Sequence, residues 1–199
     1  MRSKKYIIFI PILLICSLGC NEQRKYKFTN NESLNFDDLV EFKQNLKKLS
    51  NDRKFKTIFF LDPECPMCIS YSVYINDIYE KFKNYIDFII IYPSKLTSED
   101  KIKNFEKKYK LNIPSVVDSN LIMTNYLDAR ITPECFLVDT SFKILYSGLI
   151  NDWARDLGKT GPITNNYLES GIENILSNKK IDIRKTNAIG CIIQKDFSY

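Results

Sequence analysis

The chain has 199 residues, 44% of them hydrophobic and 27% charged, enough to bury a full core in one folded domain with appendages to spare. Its 29 basic and 24 acidic residues give a formal charge of +5, but Arg2, Lys4 and Lys5 stand among the first 19 residues with no acid beside them; the rest, 26 against 24, gives no argument for nucleic acid. With no His anywhere, zinc sites of mixed Cys/His type, His-dependent nucleophile dyads and a His general base are excluded.

The chain opens on "MRSKK", a positive n-region, followed by the apolar run "YIIFIPILLIC" of 11 residues and then "SLGC". The apolar run is too short to span a bilayer as a helix and carries a Pro. Residues 1–19 resemble a bacterial lipoprotein signal, whose lipobox ends in Gly-Cys. Gly19-Cys20 is the match, with Ser17 and Leu18 departing from the usual Leu and small residue. The resemblance implies lipidation of Cys20 and a chain anchored in the cell envelope, facing the periplasm or cell exterior. In that setting a dithiol can be held oxidised. Of six cysteines, Cys16 leaves with the signal and Cys20 is acylated, so four thiols remain: Cys65, Cys68, Cys135 and Cys191.

Residues 20–35 are polar and aperiodic, as a tether should be. "FDDLVEFKQNLKKLS" has apolar residues near helical spacing, with acids early and lysines late, which predicts a helix over 37–50. "KTIFFLD" (56–62) predicts a buried strand, and "CPMCISYSVYINDIYEKFKNY" a helix with Pro66 in its first turn. "IDFIIIYP" (86–93) predicts a second buried strand, and "TSEDKIKNFEKKYK" a third helix capped by Thr97 or Ser98. "IPSVVD" (113–118) and "NLIMTNYLD" (120–128) read as a short strand and helix. "ITPECFLVD" (131–139) and "FKILYSGLI" (142–150) read as a hairpin, and a last helix is expected at about 165–177. The remaining β-like pieces find no place in the sheet. Alternation of this kind implies an α/β domain with a mixed sheet and helices on both faces.

"DPECPMC" (62–68) follows directly on a buried strand. Two cysteines so spaced can be a redox couple, half a zinc site or two small buried residues. The context favours the first, because a helix opens at Cys65, and unpaired N–H groups at a helix N-terminus stabilise a thiolate. The spacing lets Cys68 resolve a mixed disulfide formed on Cys65.

Together with Thr132-Pro133 ahead of "ECFLVD", and with the insertion "YPSKLTSEDKIKNFEKKYKLNIPSVVD", these residues resemble the thioredoxin superfamily. The similarity is to its redoxin branch, near the membrane-anchored periplasmic thiol-disulfide oxidoreductases. The resemblance implies a thioredoxin-like three-layer sandwich with a central mixed sheet and an α/β insertion, over residues 36–178, leaving 179–199 as a C-terminal tail. It implies catalysis by Cys65, Cys68 and Pro133, a substrate groove with Thr132, Pro66 and Met67, protein thiols or disulfides as partners, no cofactor and no metal. Departures are Glu64 where thioredoxins place an aromatic, Pro-Met between the cysteines instead of Gly-Pro, and Phe59 at the position of the buried acid. Peroxiredoxins share the fold, but their Thr or Ser and their Pro are replaced here by Asp62 and Ile58. The alternatives from a binding class are a soft-metal, copper carrier using Cys65, Cys68 and Cys135, and a redox-inert binding domain.

Strand alternation turns Cys135 the same way as Pro133 and makes it a candidate third thiol, against the plainer role of a small buried residue. Cys191, in "NAIGCII", has weaker context and no assigned role. Met123 reads as core, and Trp153 as a packing anchor rather than a cover for the site. Asp62 and Glu64 read as solvated loop acids.

Overall fold

The computed structural model describes residues 35–94 and 97–195. The signal over residues 1–19, Cys20 and the tether up to residue 34 lie outside the described residues.

Helix α1 (Phe36–Lys48) starts one residue before the expected position because the Asn35 side chain caps it, accepting from the Asp37 N–H at 3.1 Å. Strand β1 (Phe55–Phe60) leads to α2 (Pro66–Phe82), and β2 (Asp87–Tyr92) to α3 (Glu99–Tyr109), which Ser98 caps. Then come β3 (Ser115–Val117), α4 (Ile122–Tyr126), β4 (Ile131–Thr132), β5 (Glu134–Asp139) and β6 (Ile144–Gly148). A small hairpin of β7 (Ala154–Asp156) and β8 (Lys159–Thr160) precedes α5 (Tyr167–Leu176), and β9 (Cys191–Ile192) closes the described chain.

The central sheet has the order β3-β2-β1-β5-β6, parallel through its first three strands and antiparallel at β1/β5 and β5/β6. Period-two alternation sorts its side chains into two cores. Phe59, Phe88, Ile90, Cys135, Leu137 and Tyr146 face α2, α3 and α5, whose Tyr71, Ile75, Phe105 and Ile172 cover them. Ile58, Phe60, Ile89, Ile91, Phe136 and Val138 face α1 and α4, with Leu39, Leu46 and Met123 packed against them. The result is a three-layer, thioredoxin-like α/β sandwich. Trp153 stacks edge-on at 5.5 Å from Tyr71 and lies 5.8 Å from Tyr74, which pins the loop after β6 onto α2.

The run 131–139, expected as one strand of a hairpin, is divided at Pro133. Pro133 has no N–H to give to a ladder, so β5 begins after it, while Ile131 and Thr132 leave the central sheet and pair antiparallel with β9 in the register Thr132↔Cys191. The tail therefore does find a place. Lys185 bridges Ser147, and Gly148, at φ +126, lies so close to Thr186 that a Cβ would stand 2.3 Å from its carbonyl oxygen.

At the other end of β1 the sheet encloses an ion pair. The Lys56 ammonium lies 2.8 Å from Asp87 Oδ2, and both side chains are 1% exposed. Burial opposes ionisation of Asp87, but hydrogen bonds from Lys56, Arg53 N–H and Asn51 N–H outweigh it and hold the carboxyl below its ordinary range. Its contribution to stability is therefore present above the unfolded carboxylate pKa and is lost as pH falls through the lower folded value. Replacing Asp87 with Ala leaves a buried, unpaired ammonium and is expected to lower unfolding free energy by about 3–5 kcal/mol in urea titrations. A loss of under about 1 kcal/mol, the scale of an exposed pair, would contradict this assignment.

Candidate active site

Strand β1 delivers Leu61 and the turn Asp62-Pro63-Glu64 to the start of α2. There Cys65 is the N-cap, in extended conformation, and Pro66 fills the first helical position. Cys65 N–H closes the turn on the Asp62 carbonyl at 3.1 Å. Cys68 lies one turn in, fully buried, and its sulfur accepts the Asp62 N–H at 3.4 Å. From across the sheet comes Thr132-Pro133, joined by a cis peptide bond, and the Cys65 thiol donates to the Thr132 carbonyl at 3.1 Å. Thr132 and Pro133 are buried beside the cysteines, Met67 packs on the same core and Pro66 is exposed on the rim. The structure thus brings Cys65, Cys68, Thr132 and Pro133 together.

Glu134 holds this arrangement from behind. Its buried carboxylate accepts the N–H groups of Arg130 at 2.9 Å and Ile131 at 3.4 Å, which sets the bend where the chain leaves the central sheet. Desolvation leads the balance on this group and raises its pKa.

Cys135 and Cys191 divide differently from what the sequence suggests. Cys135 is fully buried, and its thiol is directed to the carbonyls of Gly148 at 3.3 Å and Leu149 at 3.5 Å. The thiol brought toward Cys65 from outside the CPMC turn is Cys191, carried there by the pairing of β9 with Thr132, whose carbonyl receives the Cys65 thiol. Its local sequence carries no signal for this. The one hint is Gly190, where a Cβ would stand 2.1 Å from the Thr132 carbonyl oxygen and 3.1 Å from Pro133 Cδ, so that only glycine permits the approach.

This cluster sets the proton affinities. The Cys68 thiol is the largest stabiliser of a Cys65 thiolate; burial opposes it, and the Cys191 thiol, the Cys68 N–H and Thr132 add support, so that the Cys65 pKa is lowered to about 5. Burial, then the neighbouring Cys65, push Cys68 well above its ordinary value. Burial, Cys65 and the charge of Asp62 push Cys191 up to about 12. Glu64 turns outward to Lys101, with its carboxylate 2.9 Å from the ammonium, and the Asp62 carboxylate accepts the Glu64 N–H at 2.8 Å. A cleft of about 450 Å³ opens beside the cluster, lined in part by Leu61, Tyr92, Pro93, Thr132 and Ile192. Among the described residues no three His, Cys, Asp or Glu side chains are disposed to hold a metal ion.

Thiolate absorbance of the reduced chain is expected to titrate for Cys65 with a midpoint at about 5, and Cys68→Ala to move that midpoint upward by removing its main donor. Because the folded thiol ionises below its unfolded value of 9.0, its contribution to stability is complete above that pH and is lost as pH falls through about 5. A wild-type midpoint near 9.0 would contradict the cluster's electrostatics.

A family model described as Redoxin matches residues 30–158. Among solved structures, an uncharacterized conserved protein from Geobacillus kaustophilus is similar at 19% identity and a TM-score of 0.62, over 76% of this chain and 81% of its own. A hypothetical protein from Sinorhizobium meliloti 1021 is similar at 20% identity and a TM-score of 0.61, over 80% and 85%. Both are likenesses of fold. No match was found among curated proteins. With the family model covering more than half of its residues, and with the sandwich that carries the CPMC turn beside Thr132-Pro133, the chain belongs to the redoxin family of the thioredoxin superfamily.

Proposed function

We propose that this redoxin is an exported, lipid-anchored thiol-disulfide oxidoreductase that exchanges its Cys65/Cys68 dithiol and disulfide with protein partners. The observation that carries the proposal is the placement of the Cys65 sulfur at the first turn of α2, against the Thr132 carbonyl, with a second thiol one turn behind it.

In the reducing direction the Cys65 thiolate attacks one sulfur of a partner disulfide. The Cys65–partner S–S bond forms as the partner's own S–S bond breaks, and the departing partner thiolate takes a proton from water. A thiolate from within the chain then attacks Cys65, forming an internal disulfide and releasing the second partner thiol. Two electrons pass from the dithiol to the partner, and the reverse sequence oxidises a partner dithiol. Cys68 is the resolving thiol nearest in sequence. Cys65 is only 1% exposed, so a partner must approach over the rim formed by exposed Pro66 and by Ile192, which is 79% exposed and lines the cleft.

Export and anchoring rest on the basic n-region, the apolar run and Gly19-Cys20. They support a location in the cell envelope, where partners carry disulfides.

Replacing Cys65 with Ser is expected to bring exchange with a small disulfide down to the uncatalysed rate, whereas exchange unchanged by that substitution overturns the proposal. Cys20→Ser is expected to move the chain from the detergent phase to the aqueous phase on phase partition of expressing bacterial cells. Retention in the detergent phase would remove the lipid anchor at that residue.

A further inference from the structure

A third thiol is carried to the Cys65/Cys68 turn by the tail. Thr132 pairs with Cys191 across the β4/β9 ladder, and the same Thr132 carbonyl receives the Cys65 thiol, so one backbone position lies against both residues. The tail that brings Cys191 is fixed on both flanks. Ile193 is buried in the core beneath α1 and α4, with its N–H on the Arg130 carbonyl at 2.9 Å, and Gly190 is pressed against Thr132 and Pro133. Cys68 has no exposure, while Cys191 is half-buried beside the 79% exposed Ile192. Of Cys68 and Cys191, the residue with solvent exposure belongs to the tail.

We propose that Cys191 is a third redox-active residue, which resolves the mixed disulfide on Cys65 by forming a Cys65–Cys191 disulfide and passes it on to Cys68. This deepens the exchange function proposed above and rests on Cys65 being its attacking thiol. Cys191 gives its proton to water on its open side, and its thiolate attacks Cys65. The Cys65–Cys191 bond forms, the Cys65–partner bond breaks, and the partner departs as a thiolate. Cys68 then attacks Cys65, its proton passing to the departing Cys191 sulfur, which regenerates the Cys191 thiol and leaves the Cys65–Cys68 disulfide. Each step exchanges one S–S bond for another, so no outside oxidant or reductant enters.

The difference in burial favours this order. Burial, Cys65 and Asp62 together hold the proton on Cys191, and the part due to Cys65 disappears once that sulfur is tied up in a mixed disulfide. Burial leads for both thiols and Cys65 comes next for both, so what separates them is burial itself, complete for Cys68 and partial for Cys191.

The test uses the full chain with Cys68→Ser, reduced, then treated with glutathione disulfide and mapped with trypsin without reduction. Cys65 and Cys191 fall in separate peptides, residues 57–81 and 186–195. The expected product is the linked pair of these peptides, while Cys68→Ser/Cys191→Ser holds glutathione on Cys65. Glutathione retained on Cys65 by Cys68→Ser to the same extent as by the double variant overturns the role of Cys191 and leaves Cys65 as the attacking thiol. A link from Cys65 to the peptide of Cys135, residues 131–143, overturns it in favour of that residue. No adduct or link on Cys65 overturns both this proposal and the exchange function. Gly190→Ala, added to Cys68→Ser, keeps every other thiol but forces β9 off Thr132; the yield of the Cys65–Cys191 link is expected to fall several-fold, and an unchanged yield overturns delivery by β9.

Discussion

Pro133 cannot donate to a β-ladder, and the architecture of the site follows from that missing N–H. The chain has to leave the central sheet before it, so Ile131 and Thr132 form a short edge of their own, and Glu134 satisfies the two N–H groups at the bend. An unpaired edge next to a helix N-terminus has two uses here. The Thr132 carbonyl meets the Cys65 thiol, and the remaining pairing positions take β9. The helix start, the bend and the tail are thus three segments held by one dipeptide.

Within that junction the reactive sulfur sits in a largely dry environment, where few but well-placed donors decide its charge. Burial alone would keep Cys65 protonated. The thiol and N–H of Cys68, with the thiol of Cys191 and Thr132, supply the compensation that water would give an exposed thiolate. The same arrangement sets the partners apart, since a proton held by Cys68 or Cys191 is what stabilises the charge on Cys65. The first sulfur ionises because its neighbours do not. This fits a turn that lacks an aromatic before the first cysteine and a buried acid behind it, with Phe59 in the apolar core where a proton carrier would otherwise stand.

Strand β1 ties this chemistry to the stability of the fold. At its start Lys56 and Asp87 form a buried pair that fixes the register of β1 against β2, and at its end the chain turns into the reactive loop. A one-residue slip would exchange the two buried faces of the strand and withdraw the loop from Thr132. The ion pair and its backbone donors give that register a polar reference in a strand whose other residues, apart from Thr57, are apolar.

Much of this was legible from local pattern. Apolar runs bounded by turns located β1 and β2, acids and a Ser located the start of α3, and a Pro behind a Cys located the start of α2, because each signal acts within a turn of helix or a few strand residues. The same range covers the Cys65/Cys68 pair. The division of residues 131–139, the direction of the Cys135 thiol toward Gly148 and the arrival of Cys191 at Cys65 depend instead on which strand edge is left open after the sheet is assembled. Sequence by itself determined the alternation, the two cores and one reactive turn. Only the tertiary structure decided which distant thiol shares it, because backbone pairing between β4 and β9 is set by edge and register, and a pair of two-residue strands has no periodicity of its own to announce it.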